Sequence, residues 1–160
     1  MLARLSPPSE ELQERAIEVA LEEARQGMAD GEVPVGAAVL DGEGVLLSQA
    51  HNEIEGRGDP TAHAERLALS GACQKLGHPR LPEGSLVVST LEPCAMCAGA
   101  LVLARPSWLL LGAMDPKAGA CGSVFNVISD ERLNHHVHLL PTRESEVCGE
   151  LLQRFFQDRR

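Results

Sequence analysis

Apolar residues first recur with helical spacing at Leu12, Ala16, Val19, Ala20 and Ala24, and Ile17, Leu21 and Met28 widen the stripe. Ser9 is suited to cap that helix, with Glu10 and Glu11 in the first turn, where the helix dipole favours anions. Gly27 and the pair Asp30-Gly31 end it, and Pro34 opens a new element. The pattern then changes: residues 35–40 and 45–50 read as strands flanking Asp41-Gly42-Glu43-Gly44, a β-hairpin with Asn52 at its end. Residues 53–58 read as a polar, Gly-containing loop. Asp59-Pro60 then supplies an N-cap followed by proline at the first helical position, predicting a helix over 60–76.

Residues 85–90 form a short buried strand on this reading, Pro93 opens a helix reaching about residue 104, and 108–112 is the next buried strand. Strand, helix, strand predicts a parallel pair joined by a right-handed crossover. Residues 114–123 make a Gly-rich loop near the carboxyl end of the second of these strands, where ligands commonly bind in α/β sheets. A last strand is expected near 137–140. From Arg143 the spacing is helical again at Val147, Leu151, Leu152, Phe155 and Phe156, closing on Asp158-Arg159-Arg160. With no repeat, linker or low-complexity tract, the pattern predicts one domain over residues 1–160. Its fold class is α/β, a three-layer α/β/α sandwich with helices on both faces of a mixed central sheet.

Composition narrows the function. A chain of 160 residues suffices for one good core, no apolar run approaches a membrane span, and the first residues form no signal-peptide core, so a cytoplasmic protein is expected. Fourteen basic against 23 acidic side chains argue against broad, nonspecific nucleic-acid binding, which rests on cations facing phosphates. An RNA partner would have to be held locally. Trp108, Phe125, Phe155 and Phe156 are the only aromatics, too few for an extended base-stacking platform. Five cysteines, an odd number, argue against a disulfide framework and leave Cys73, Cys121 and Cys148 as expected buried thiols.

The remaining cysteines carry the chemistry. His63-Ala64-Glu65 and Pro93-Cys94-Ala95-Met96-Cys97 together supply three soft ligands and one spare carboxylate. A structural zinc is closed by four protein ligands, whereas a catalytic zinc keeps three and leaves the fourth position to water. A helix beginning at Pro93 would set Cys94 and Cys97 on one side. A lone CxxC also fits a redox pair or half of a zinc finger, but no second CxxC or HxxxH completes a finger here. The expected cofactor is therefore one Zn2+ per chain, held by His63, Cys94 and Cys97. Such a zinc lowers the pKa of its water toward about 7 and yields a hydroxide nucleophile. Attack on a carbon bearing an exocyclic amine needs protons delivered to the ring nitrogen and to the departing amine, and Glu65 is the acidic residue inside these motifs that can shuttle both.

An HxE paired with a PCxxC is the signature of zinc-dependent nucleobase deaminases. The resemblance becomes specific in Asp59-Pro60-Thr61-Ala62-His63-Ala64-Glu65 and in the run from Thr90 through Cys94 and Cys97 to Ala100. With Val33-Pro34-Val35-Gly36, Asp115-Pro116-Lys117, Asn134-His135 and the closing Phe155-Phe156, nearly the whole chain from about Ser9 resembles the bacterial TadA-type tRNA adenosine deaminases. The resemblance implies the cytidine deaminase-like fold, a homodimer, and conversion of wobble adenosine, position 34 of an arginine tRNA anticodon, to inosine. The tRNA anticodon stem-loop would be the partner. It further implies that Asn52 hydrogen-bonds the flipped adenine, that Ala64 and Asn134 belong to the pocket, and that Asp115 and Lys117 contact nucleotides around it. The final helix, with Arg154, Arg159, Arg160 and one of the two phenylalanines, would form the RNA-contacting end.

One departure bears on affinity: the family usually has arginine after the Asn-His pair, and here His136 follows, which weakens a phosphate contact at neutral pH. Two other functions share much of this pattern. A deaminase of a free base or nucleoside would use the same zinc and glutamate, and a non-catalytic partner subunit could keep the zinc alone. The intact Glu65 argues against the second.

Overall fold

The computed structural model describes residues 5–159. In chain order its elements are α1 (Glu10–Ala29), β1 (Gly36–Leu40), β2 (Leu46–His51), α2 (Ile54–Arg57), α3 (Ala64–Leu76), β3 (Leu86–Leu91), α4 (Ala95–Ala104), β4 (Trp108–Ala113), β5 (His138–Leu139) and α5 (Ser145–Gln157). The strands form one mixed sheet in the order β2-β1-β3-β4-β5. β1 pairs antiparallel with β2 and β3, whereas β3–β4 and β4–β5 are parallel, with α4 crossing between β3 and β4.

The three central strands, β1, β3 and β4, are buried almost throughout because both faces of the sheet are covered there, whereas the edge strands β2 and β5 are partly exposed. Ala37, Val39, Val87, Leu109 and Leu111 point to one side, into a core shared with Ala64, Ala68, Leu69 and Ala72 of α3 and Ala98, Leu101 and Ala104 of α4. Ala38, Leu40, Leu86, Val88 and Leu110 point to the other, against Ala16, Ile17, Ala20, Leu21 and Ala24 of α1 and Cys148 and Leu151 of α5. The expected three layers are present. α1 lies so close to β1 that a Cβ on Gly36 would stand 1.9 Å from the Ala20 carbonyl oxygen, so only glycine fits there.

Four local expectations are corrected. α1 runs through Gly27 to Ala29, its end set by Asp30 and by Gly31 at φ 83°. Residues 54–57, read as loop, are a helical turn because the buried Glu32 carboxylate, from before β1, accepts from the backbone N–H groups of Glu55 (3.1 Å) and Gly56 (2.7 Å). The helix expected from Pro60 starts at Ala64. Asp59 Oδ1 accepts from the Thr61 backbone N–H at 2.8 Å and its hydroxyl at 2.7 Å, closing a turn through Pro60 and Thr61 ahead of the helix. The next helix likewise starts at Ala95 rather than Pro93, with Cys94 extended as its N-cap.

Candidate metal centre and its surroundings

These two late helix starts put the motif residues at two helix N-termini. His63 is the N-cap of α3 and Glu65 lies in its first turn; Cys94 caps α4 and Cys97 lies one turn in. The positive ends of both helix dipoles therefore favour thiolates and a carboxylate here. His63 Nδ1 lies 3.7 Å from Cys94 Sγ and 3.6 Å from Cys97 Sγ, and all three donor atoms fall within 4.8 Å of one another. Tetrahedral zinc with Zn–S of about 2.3 Å and Zn–N of about 2.0–2.1 Å requires S···N separations of about 3.6 Å, so the donors stand where such an ion needs them. Among the described residues no other cluster of three or more His, Cys, Asp or Glu could hold a metal ion, and Glu65 is not part of this one.

Glu65 stands beside these three donors. It is 4% exposed, accepts from Ser89 Oγ at 3.2 Å, and brings its other oxygen within 3.6 Å of Cys97 Sγ. Burial pushes its carboxyl above the ordinary carboxylate range, against the opposing pull of its own backbone N–H, of His63 and of Ser89. Burial, reinforced by the Glu65 charge and Cys94, likewise pushes the Cys97 thiol up. A cation among these groups reverses that balance, since it binds thiolates and not thiols.

A second acid, Glu92, organises the rim. Its Oε1 accepts from the backbone N–H groups of Cys121 and Ser123, both at 3.0 Å, and its Oε2 from the Asp115 backbone N–H at 2.8 Å and the Ser123 hydroxyl at 2.5 Å. Burial opposes ionisation, but the four donors outweigh it and hold the Glu92 carboxyl below its usual range.

The chain's kinship agrees with this geometry. The model of the cytidine and deoxycytidylate deaminase zinc-binding region matches residues 10–113. A tRNA-specific adenosine deaminase of Aquifex aeolicus (strain VF5) is 46% identical over 143 residues, which cover 88% of this chain and 91% of the relative. The chain belongs to this zinc-binding deaminase family. A solved structure from studies of A-to-I editing by tRNA:A34 deaminases, at the wobble position of transfer RNA, superposes with a TM-score of 0.82. It is 37% identical and covers 87% of this chain and 99% of its own. A guanine deaminase from Bacillus subtilis is more distant, at 26% identity and a TM-score of 0.60 over 88% of this chain and 93% of its own. By its family the deaminase is a zinc-dependent hydrolytic enzyme.

The other expected site residues of the deaminase fall into two groups. Asn52, at the end of β2, is buried next to the metal corner. Its Oδ1 accepts from the Ala64 backbone N–H at 2.9 Å and its Nδ2 donates to the Val33 carbonyl at 3.3 Å, leaving one N–H and one lone pair uncommitted. Ala64 is fully buried with its N–H taken by Asn52. Asp115 and Lys117 follow β4, with Asp115 Oδ1 accepting from the Lys117 and Ala118 N–H groups (2.9 and 3.3 Å), and Lys117 exposed.

In the second group, Asn134 and its neighbours lie apart from the candidate ligands. Asn134 is exposed, and its neighbour His135 bonds the Pro106 carbonyl at 2.7 Å, just ahead of β4. Since β3 and β4 run parallel, this is the opposite end of the sheet from Cys94. His136 meets the Asp130 carbonyl at 3.0 Å. On α5, Phe155 is buried and Phe156 is 51% exposed, which decides which of the two is core. Arg159 stacks over the Phe155 ring at 3.8 Å and donates to the Gly31 carbonyl at 3.0 Å. Arg160 lies outside the described residues. Sequence reasoning assigned no role to Glu32 or Glu92; a glutamate directly before the Pro-Cys pair was visible, but its partners, 23 to 31 residues away, were not.

Proposed function

We propose that the chain is a tRNA adenosine deaminase that converts wobble adenosine, position 34 of an arginine tRNA anticodon, to inosine in the cytoplasm, with one zinc per chain. The observation that carries this reading is the three-donor corner of His63, Cys94 and Cys97 with the buried Glu65 carboxylate against it. Bound there, zinc supplies a water acidified to a pKa near 7. Glu65 takes a proton from the attacking water and delivers it to the adenine ring nitrogen, then serves the departing amine. Its position, buried against Cys97 Sγ and steadied by the Ser89 hydroxyl, suits it to carry that proton between these steps. The uncommitted N–H and lone pair of Asn52 are available to the base edge, and its grip on Ala64 orients the turn between His63 and Glu65.

A groove of about 420 Å3 bordered by Val33, Ile54, Glu55, Phe155 and Arg159 supports an RNA path alongside Asn52, whose Nδ2 bonds the Val33 carbonyl. The exposed Lys117 and Phe156 are further contacts for the anticodon stem-loop on this reading. The 46% identity to a tRNA-specific relative favours tRNA over a free base. The homodimer finds support in the apolar side chains left uncovered on α4, Leu103 at 76% and Met96 at 36% exposure, which a second copy would bury.

The deciding experiment measures inosine in an anticodon stem-loop bearing adenosine at the wobble position, with free adenosine, guanine and cytosine as controls and zinc assayed on the same sample. Inosine in the stem-loop alone is expected. Efficient turnover of a free base with an untouched stem-loop would overturn the reading.

A further inference from the structure

We infer that Glu92 is a positioning residue: its carboxylate clamps the segment 115–123 onto the turn that carries Cys94, and so sets how tightly the enzyme holds its substrate. For the substrate, though not for the clamp, this rests on the function proposed above.

An ionised carboxylate offers about four lone-pair directions. All four donors to Glu92 come from one segment: the N–H groups of Asp115, Cys121 and Ser123 and the Ser123 hydroxyl. Saturated in this way, Glu92 has nothing left for a metal or a substrate. It is not a ligand in waiting. The segment wraps so closely that a Cβ on Gly119 would stand 2.2 Å from Glu92 Oε2, and that position is glycine.

The clamp joins two structures that chemistry must hold in register. Glu92 leaves the end of β3, its own N–H bonded to the Ala113 carbonyl of β4 at 2.8 Å. Pro93 follows, and its carbonyl accepts from Ala120 N–H at 2.8 Å; Cys94 comes next. Apart from these bonds the segment is tied mostly to itself, through Gly119 to Asp115 and Val124 and Phe125 to Gly119. It presents Lys117 outward, and Phe125, at 55% exposure, stands just beyond its end. Burying a carboxylate is costly unless fully satisfied, and an apolar residue would fill the volume more cheaply. What an apolar residue could not do is hold three backbone N–H groups in one conformation. Glutamine could not replace it either, because its amide nitrogen would face two donors.

The test uses the zinc-loaded, full-length chain and its Glu92→Gln, Glu92→Asp and Ser123→Ala variants. Hydrogen exchange of the peptide spanning 114–126 should accelerate at least about tenfold in Glu92→Gln, the worth of one or more charge-assisted bonds. Zinc content should match the parent. KM for the anticodon stem-loop should rise at least about tenfold while kcat stays within about threefold, and Ser123→Ala, losing one bond of the four, should shift both readouts the same way by about threefold. Unchanged exchange overturns the clamp, and so does loss of zinc or of kcat at constant KM, which would assign Glu92 to the metal corner. If Glu92→Gln does not fold, Ser123→Ala decides with the same signs. A parent enzyme inactive on the stem-loop would sink the proposed function, and the exchange result would still judge the clamp.

Discussion

The metal corner and the rim that faces it are built in opposite ways. At the corner, each chemical group belongs to a short motif and sits at a helix start, so local geometry does most of the aiming: His63 and Cys94 are N-caps, and Glu65 and Cys97 follow within a turn. The rim has little regular structure beyond one isolated bridge between Cys121 and Asn126, and its shape is imposed from outside by the buried Glu92. The candidate metal donors are thus held by regular elements, whereas the segment proposed to meet the substrate is held by hydrogen bonds to one acid. Changes at the corner should therefore abolish turnover, while changes at the rim and on α5 should alter affinity.

The largest effects are expected from the candidate ligands. His63→Ala and Cys94→Ser should lose zinc and turnover together and lower the melting temperature, since metal binding and folding are coupled; zinc content equal to the parent's would exclude them as ligands. Glu65→Ala should keep its zinc yet slow inosine formation by about 10²–10⁴-fold, the range of a general acid–base group. Retained turnover would remove the proton-shuttle role.

On α5 the two phenylalanines should separate stability from binding. Phe155→Ala, emptying a buried site, should cost about 3–5 kcal/mol in denaturant unfolding. Phe156→Ala should leave stability nearly unchanged and weaken stem-loop binding by about 1 kcal/mol if its exposed ring stacks on a base. Equal stability losses would contradict their burial. The smallest effect is expected at His136: restoring a permanent charge with His136→Arg should tighten stem-loop binding about two- to threefold and steepen its salt dependence, with kcat unchanged. Tightening that does not depend on salt would exclude a phosphate contact.

The sequence alone determined the sandwich and the succession of its main strands and helices, and it singled out the three candidate zinc donors and the glutamate that the fold brings together. Those features are written in short-range patterns: helical period, apolar runs buried on both faces, and ligand types at fixed spacing. Only the tertiary structure decided where two helices begin, because the turn at Asp59 and the bond from Asn52 to Ala64 delay the first, and Cys94 itself caps the second. It also made α2 from a stretch read as loop, through the distant Glu32, and put the neighbourhood of Asn134 at the far end of the sheet from Cys94. For Glu32 and Asn52 the physical reason is the same. A buried carboxylate or amide chooses partners by proximity in space, and proximity across 12 to 24 residues of chain leaves no periodic trace in the order of amino acids.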